Sequence, residues 1–261
     1  MTGPIDITPP ARRRPAQPGS SAIAGPVDVT PAAPPAPLAP AGPGPREQLP
    51  LTGRDLWLRR GDRTILAGVS VHAEPGEPLA LSGPSGSGKS TLLAVLAGLI
   101  SPDSGTVLLG DAAVRPGDVA SRRSIGLILQ GYGLIGLLTA AENVEVGLRA
   151  HGTSPREARD RAFTALGTLG LAGREHHLVE DLSGGQQQRV AVARALAAEP
   201  SVILADEPTA ELDHDTRDHV LAVLLECVGD GATLILATHD PDIADQCSAS
   251  LHLVDGAPAQ P

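Results

Sequence analysis

Aromatic residues are almost missing from this chain, which has one Trp, one Tyr and one Phe in 261 residues. A core without large rings has to be built from Leu, Val, Ile and Ala. Cysteine is rare too. Cys227 and Cys247 have no metal-ligand spacing and form no even framework, so neither a disulfide scaffold nor a zinc module is expected. The pair fits a reducing compartment and reads as small buried apolar groups. Positive charge is outweighed, with 20 Lys and Arg against 30 Asp and Glu; the net charge of −10 argues against a nucleic-acid partner. No uninterrupted apolar run reaches the about 18 residues that a bilayer span requires. No apolar stretch follows the basic run Arg12–Arg14, so no secretory leader is read there.

Proline, by contrast, is abundant and unevenly spread. Residues 1–50 hold 14 of the 25 prolines, mixed with Ala, Gly and Ser. Proline removes backbone donors and favours extended geometry, so this stretch cannot build a packed core and is expected to be a disordered, solvated tail. A single folded domain is expected over 51–261.

Within that domain, 54–60 and 63–72 alternate as strands before the turn EPGEP at 74–78. Leu79–Leu81 is a short apolar strand that runs into the glycine-rich GPSGSGKST, and Thr91–Leu99 has the apolar spacing of a helix. Residues 101–111 read as a turn and a strand. From about Gly131 to Leu182 the pattern is mainly helical, with breaks at 152–155 and 170–173, and a further helix runs from Ser183 to Pro200. Val202–Ala205 and Thr233–Thr238 are buried-strand runs that end in polar residues. Strands alternating with helices imply an α/β domain with a largely parallel sheet.

The segment Gly83, Pro84, Ser85, Gly86, Ser87, Gly88, Lys89, Ser90, Thr91 fits the phosphate-binding pattern G-x-x-x-x-G-K-[ST] in full. Its glycines let successive backbone N–H groups point inward at phosphate oxygens, and the helix that follows adds its positive end. Lys89 is set to neutralise the β- and γ-phosphates, and Ser90 to give an oxygen to Mg²⁺. The strand Val202–Ala205 delivers Asp206 and Glu207, one carboxylate for Mg²⁺ and one for a general base. Ser183 with Gly184, Gly185 and Gln186 opens a helix and makes a second N-terminal anion site.

Taken in order, GPSGSGKST at 83–91, Gln130, LSGGQ at 182–186, ILADE at 203–207 and His239 resemble the ATP-binding cassette (ABC) ATPases. The resemblance covers about Leu51 to Pro261. It implies an α/β fold: a P-loop NTPase core with a mainly parallel sheet, an N-terminal antiparallel β subdomain, and an inserted α-helical subdomain at about 131–190. It also implies that Gln130 reaches Mg²⁺ and water, that His239 contacts the γ-phosphate, and that Asp206 holds Mg²⁺ while Glu207 polarises the attacking water. By the same resemblance, Ser183–Gln186 and the D-loop residue Asp213 serve the ATP held on the opposing subunit of a head-to-tail homodimer. The family stacks adenine on an aromatic residue, and ungapped alignment of the R-G-D-R-T-I-L segment puts Arg60 there, where a guanidinium plane is a plausible substitute.

Leu138-Thr139-Ala140 and Glu142-Asn143-Val144 look most like the branch of lipoprotein-releasing, macrolide-exporting and cell-division ATPases. That resemblance implies a separate permease with few membrane helices and a large external domain, served from the cytoplasmic face of the membrane. Gly131, Gly133 and Gly136 depart from the bulkier residues usual beside the Q-loop. A soluble ABC ATPase of iron–sulfur assembly or regulation is the alternative. The short Gln130–Ser183 interval leaves no space for the coiled coils of repair members, and the E-N-V run disfavours an assembly role.

Overall fold

The computed structural model describes residues 47–259, so most of the expected tail at 1–50 lies outside the described residues. Strands β1 (Leu51–Arg60) and β2 (Arg63–Ala73) pair antiparallel, Arg60 facing Arg63 across a two-residue turn in which Gly61 takes the required positive φ of 57°. Next comes β3 (Leu79–Ser82), then the glycine-rich loop, then α1 (Lys89–Leu96). After α1 the chain forms β4 (Ser104–Leu109), β5 (Ala112–Ala113), α2 (Val119–Ser124) and β6 (Ile125–Ile128). Helices α3 (Ala140–Ala150), α4 (Pro155–Thr168) and α5 (Gly184–Leu196) lie between β6 and β7 (Val202–Asp206). The order closes with α6 (His214–Gly229), β8 (Thr233–Ala237), α7 (Pro241–Ala244), β9 (Ala249–Val254) and β10 (Ala257–Pro258).

Two sheets result. One is antiparallel, in the order β2-β1-β4-β5; the other runs β10-β9-β3-β8-β7-β6, with β9 through β6 all parallel. The parallel strands are buried on both faces, which is why Val202–Ala205 and Thr233–Ala237 read as continuous apolar runs without alternation. Parallel pairing also aligns the carboxyl ends of β3, β6, β7 and β8 on one edge, the position where open α/β sheets bind ligands.

The core has two parts, both nearly ring-free as the composition requires. One packs α1 between the two sheets through Leu56, Leu58, Leu66, Leu81, Leu92 and Leu96. The other joins α3, α4 and α5 to the far side of the parallel sheet through Val144, Leu148, Leu166, Val190, Ile203 and Leu224. Each fully buried Leu contributes roughly 1.5–3 kcal/mol of transfer free energy.

Several elements differ from the sequence reading. No helix starts at Gly131: residues 131–139 are turn and loop, with Tyr132 and Gly133 both left-handed at φ 58° and 59°. Helix α3 begins only where Thr139 caps it, its hydroxyl accepting from Glu142 N while the Glu142 carboxylate accepts from Thr139 N. Helix α1 starts at Lys89 instead of Thr91, and ends before Gly98, whose φ of 66° stops it short of Leu99. Helix α6, which the sequence reading left unassigned, is capped by Asp213.

Candidate nucleotide site

The site grows from the parallel edge. Beyond Ser82 at the end of β3, the chain turns through Gly83 at φ 137°, where a Cβ would run into the carbonyl oxygen of Leu253, and through Gly86 and Gly88 at φ 80° and 104°. Glycine adopts all three conformations without strain, and at Gly83 and Gly88 it alone also permits the close approach of neighbouring backbone. Gly88 is the N-cap of α1 and offers no side-chain cap, so the first amides of the helix are left for a ligand. The turn between β9 and β10 supports the loop from outside: Gly256 N donates to Ser87 O (3.1 Å) while Gly256 O accepts from Ala67 N (2.8 Å). Ser87 is buried, and its hydroxyl is the one buried side-chain polar atom among the described residues without a partner. Lys89 Nζ folds back over the loop, donating to Gly83 O (2.8 Å) and Pro84 O (3.1 Å).

Opposite the loop stand the ends of β7 and β8. Asp206 and Glu207 are buried, and Glu207 sits in the left-handed region at φ 49°, its amide donating to Ala237 O at 3.0 Å. A non-glycine residue there is strained, and such strain is commonly found at functional sites. The Glu207 carboxylate lies 2.8 Å from His239 Nδ1, a hydrogen bond in which the imidazole N–H donates. The Glu207 side chain is mostly enclosed, whereas that of His239 is 73% exposed.

These residues share one cleft of about 430 Å³, lined by Gly83 to Gly86, Gly88 to Thr91, Gln130, Asp206, Glu207 and His239, with Arg63 and Ile65 from β2. Arg60 is not among the residues lining it. It lies exposed on β1, its guanidinium donating to the neighbouring Arg59 O at 3.4 Å. The hairpin therefore turns Arg63 and Ile65 toward the phosphate loop and leaves the aligned position outside the cleft. Strand pairing decides this, and the sequence alignment does not reveal it.

Ser183, Gly184, Gly185 and Gln186 also lie outside the cleft lining. Ser183 N-caps α5, its hydroxyl accepting from Gln186 N while the Gln186 side chain accepts from Ser183 N. A side chain at Gly184 would meet Tyr132 Oη and Glu211 Oε2, each at 3.6 Å, so these two residues flank the helix start. Burial and the nearby Glu211 charge push the Tyr132 phenol above its usual range. Asp213 is engaged at the next helix, its carboxylate accepting from Thr216 N and Thr216 Oγ1, both at 3.0 Å. Those two bonds hold its carboxyl below the usual range.

Three residues without a role in the sequence reading organise these loops. Arg194, half-buried on α5, donates to the carbonyls of Tyr132 (2.7 Å) and Gly133 (2.5 Å). Asn143, buried on α3, accepts from Ile135 N and donates to the carbonyls of Ile135, Leu138 and Thr139. Gln188, buried on α5, donates to Glu207 O and accepts from Glu211 N. Long polar side chains in the middle of apolar helix faces were the available signal.

A family model described as ABC transporter matches residues 66–210. The chain belongs to the ABC transporter family. The cassette is 43% identical over 219 residues to a lipoprotein-releasing system ATP-binding protein, LolD, of Gluconobacter oxydans, covering 80% of this chain and 94% of the relative. It is 44% identical over 199 residues to an uncharacterized ABC transporter ATP-binding protein, YbbA, of Escherichia coli, covering 74% and 87%. In three dimensions it is similar to the ATP-binding cassette MJ0796, solved as a dimer in a post-hydrolysis state bound to ADP and Pi. The TM-score is 0.76 at 35% identity, over 80% of this chain and 97% of that one. The cassette is thus an ATP-binding and ATP-hydrolysing transporter subunit. Among the described residues no helix is long and apolar enough to cross a membrane.

Proposed function

We propose that two copies of this cassette close head to tail around two MgATP and drive a separate permease from the cytoplasmic face of the membrane. The observation that carries the reading is the division of the site. Lys89, Gln130, Asp206, Glu207 and His239 meet in one cleft, while the start of α5, a helix N-terminus, contributes no residue to its lining. Two such surfaces complete each other only across a two-fold interface. The dimeric state of MJ0796 supports this arrangement.

In this reading the glycine loop and Lys89 bind the β- and γ-phosphates, and Ile65 packs against the base. Ser183 with the Gly184 and Gly185 amides holds the γ-phosphate of the partner's nucleotide, with Asp213 at the crossing. Ser90 and Asp206 suit Mg²⁺, a metal that commonly takes one or two protein oxygens together with phosphates and water. When bound, Mg²⁺ would supply neutralisation of phosphate charge. Glu207 accepts the proton of the attacking water, Gln130 orients that water, and the exposed His239 swings between Glu207 and the γ-phosphate.

The permease would dock beside Gln130. Ile135 and Leu137 expose apolar surface on the loop after Gln130, Leu137 at 79%, and Val146 does so on α3; the loop is held by Asn143 and Arg194. The 43% sequence identity to LolD supports a partner of the lipoprotein-releasing kind; in this reading that partner has few membrane helices and a large external domain.

The test is Glu207→Gln with MgATP. Slow hydrolysis by the wild type and an ATP-dependent dimer of the variant are expected in gel filtration with light scattering. A variant that stays monomeric at saturating MgATP would count against the sandwich. Recovery of a permease with that variant from solubilised membranes, absent with Lys89→Ala, tests the docking.

A further inference from the structure

We propose that Gln188 is a positioning residue that ties the start of α5 to the catalytic segment of its own chain, so that a nucleotide held on α5 sets the geometry of Glu207. The proposal rests on the sandwich reading above. The buried Gln188 amide spans both ends of the segment 207–211, Nε2 donating to Glu207 O at 2.7 Å and Oε1 accepting from Glu211 N at 3.0 Å. Glutamine is suited to this because its amide is donor and acceptor at once. A leucine or methionine of similar size would take the short bond from the buried Glu207 carbonyl, leaving it only the 3.4 Å bond from Ala210 N, and would remove the side-chain acceptor of the part-buried Glu211 amide, which is costly.

Two further observations make the link mechanical. Glu207 holds a left-handed backbone at φ 49°, a conformation that persists only where surrounding contacts over-determine it. Its amide is fixed by Ala237 O and its carboxylate by His239; on the carbonyl side the short bond from Gln188 Nε2 (2.7 Å) is joined only by a long one from Ala210 N (3.4 Å) within the same turn. At the other end Gly185 comes so close that a Cβ there would lie 2.9 Å from Glu211 O. Movement of the α5 start is therefore passed to residue 211 by contact and to residue 207 through Gln188. The anion site on α5 serves one nucleotide, and Glu207 of the same chain acts on the other. Gln188 thus couples the two sites of the dimer within a single subunit.

The experiment uses the full chain, with Gln188→Met and the isosteric Gln188→Glu. Gln188→Met is expected to keep the KM for ATP within about twofold of wild type while kcat falls about 10-fold or more, and the Hill coefficient for ATP drops toward 1. Combined with Glu207→Gln, it should lower kcat little further, because the two act as one unit. Gln188→Glu gives a readout that a merely structural role would not move. Its carboxyl, when protonated, can donate to Glu207 O and accept from Glu211 N, as the amide does. Burial raises that carboxyl's pKa, so kcat relative to wild type should rise as pH falls from about 8 to 6. An unchanged kcat in Gln188→Met, or equal loss of kcat and ATP affinity with no low-pH recovery in Gln188→Glu, would overturn the proposal. If wild type hydrolyses ATP and Glu207→Gln dimerises, such a result removes only the role of Gln188. If neither occurs, the sandwich itself has failed.

Discussion

The glycine loop and the start of α5 are both helix N-termini without basic residues of their own first turn beyond Lys89, yet they are built in opposite ways. The glycine loop is walled: β2 lies on one side, the β9–β10 turn behind, and the ends of β7 and β8 across the cleft. The α5 start caps itself through Ser183 and Gln186 and contributes no residue to the cleft. A walled half and a self-capped half in one chain make sense if each is completed by a second copy. Closing the two halves costs the second interface nothing in pre-organisation, since Ser183 already holds the backbone in capping geometry.

That comparison can be broken most forcefully at the walled half. Lys89→Ala removes the cation that folds over the glycine loop and should lower ATPase activity by about 10²-fold or more, measured by phosphate release. Next comes mixing: Lys89→Ala and Gly184→Asp are each expected to be nearly inactive alone. In an equimolar mixture, half the dimers are mixed, and each of these retains one intact composite site. Activity should recover to about a quarter of wild type. No recovery would mean that the two halves do not belong to different subunits. A smaller effect is expected for Ser183→Ala, which loses the α5 cap at about 1 kcal/mol and should lower the melting temperature by a few degrees. Smallest is the base side, where Ile65→Ala should weaken ATP binding several-fold and Arg60→Ala by less than twofold. A larger loss at Arg60 than at Ile65 would restore the stacking role that alignment suggests.

Most of the phosphate side was legible in the sequence because glycine spacing, Lys89 and the Asp206–Glu207 pair encode local backbone geometry directly. The parallel sheet was legible for the same reason, as short apolar runs ended at polar residues. Residues 131–139 have apolar spacing that suggests helix, but Gly131, Gly133 and Gly136 break it, Gly133 in the left-handed region. Helix α6 has its start signal in Asp213, which caps it through Thr216 N, a local role separate from any at an interface.

What the sequence determined by itself is therefore the list of chemical groups, their order, and the loops whose conformation only glycine permits. The tertiary structure decided which of those groups meet. Hairpin pairing turned Arg63 and Ile65 inward and left Arg60 outside. Parallel register brought β3, β7 and β8 to one edge, so residues more than a hundred positions apart face each other. A single buried glutamine on α5 came to bridge Glu207 and Glu211. Pattern reports local conformation, whereas contact between distant residues depends on how whole elements pack, which no short window of sequence contains.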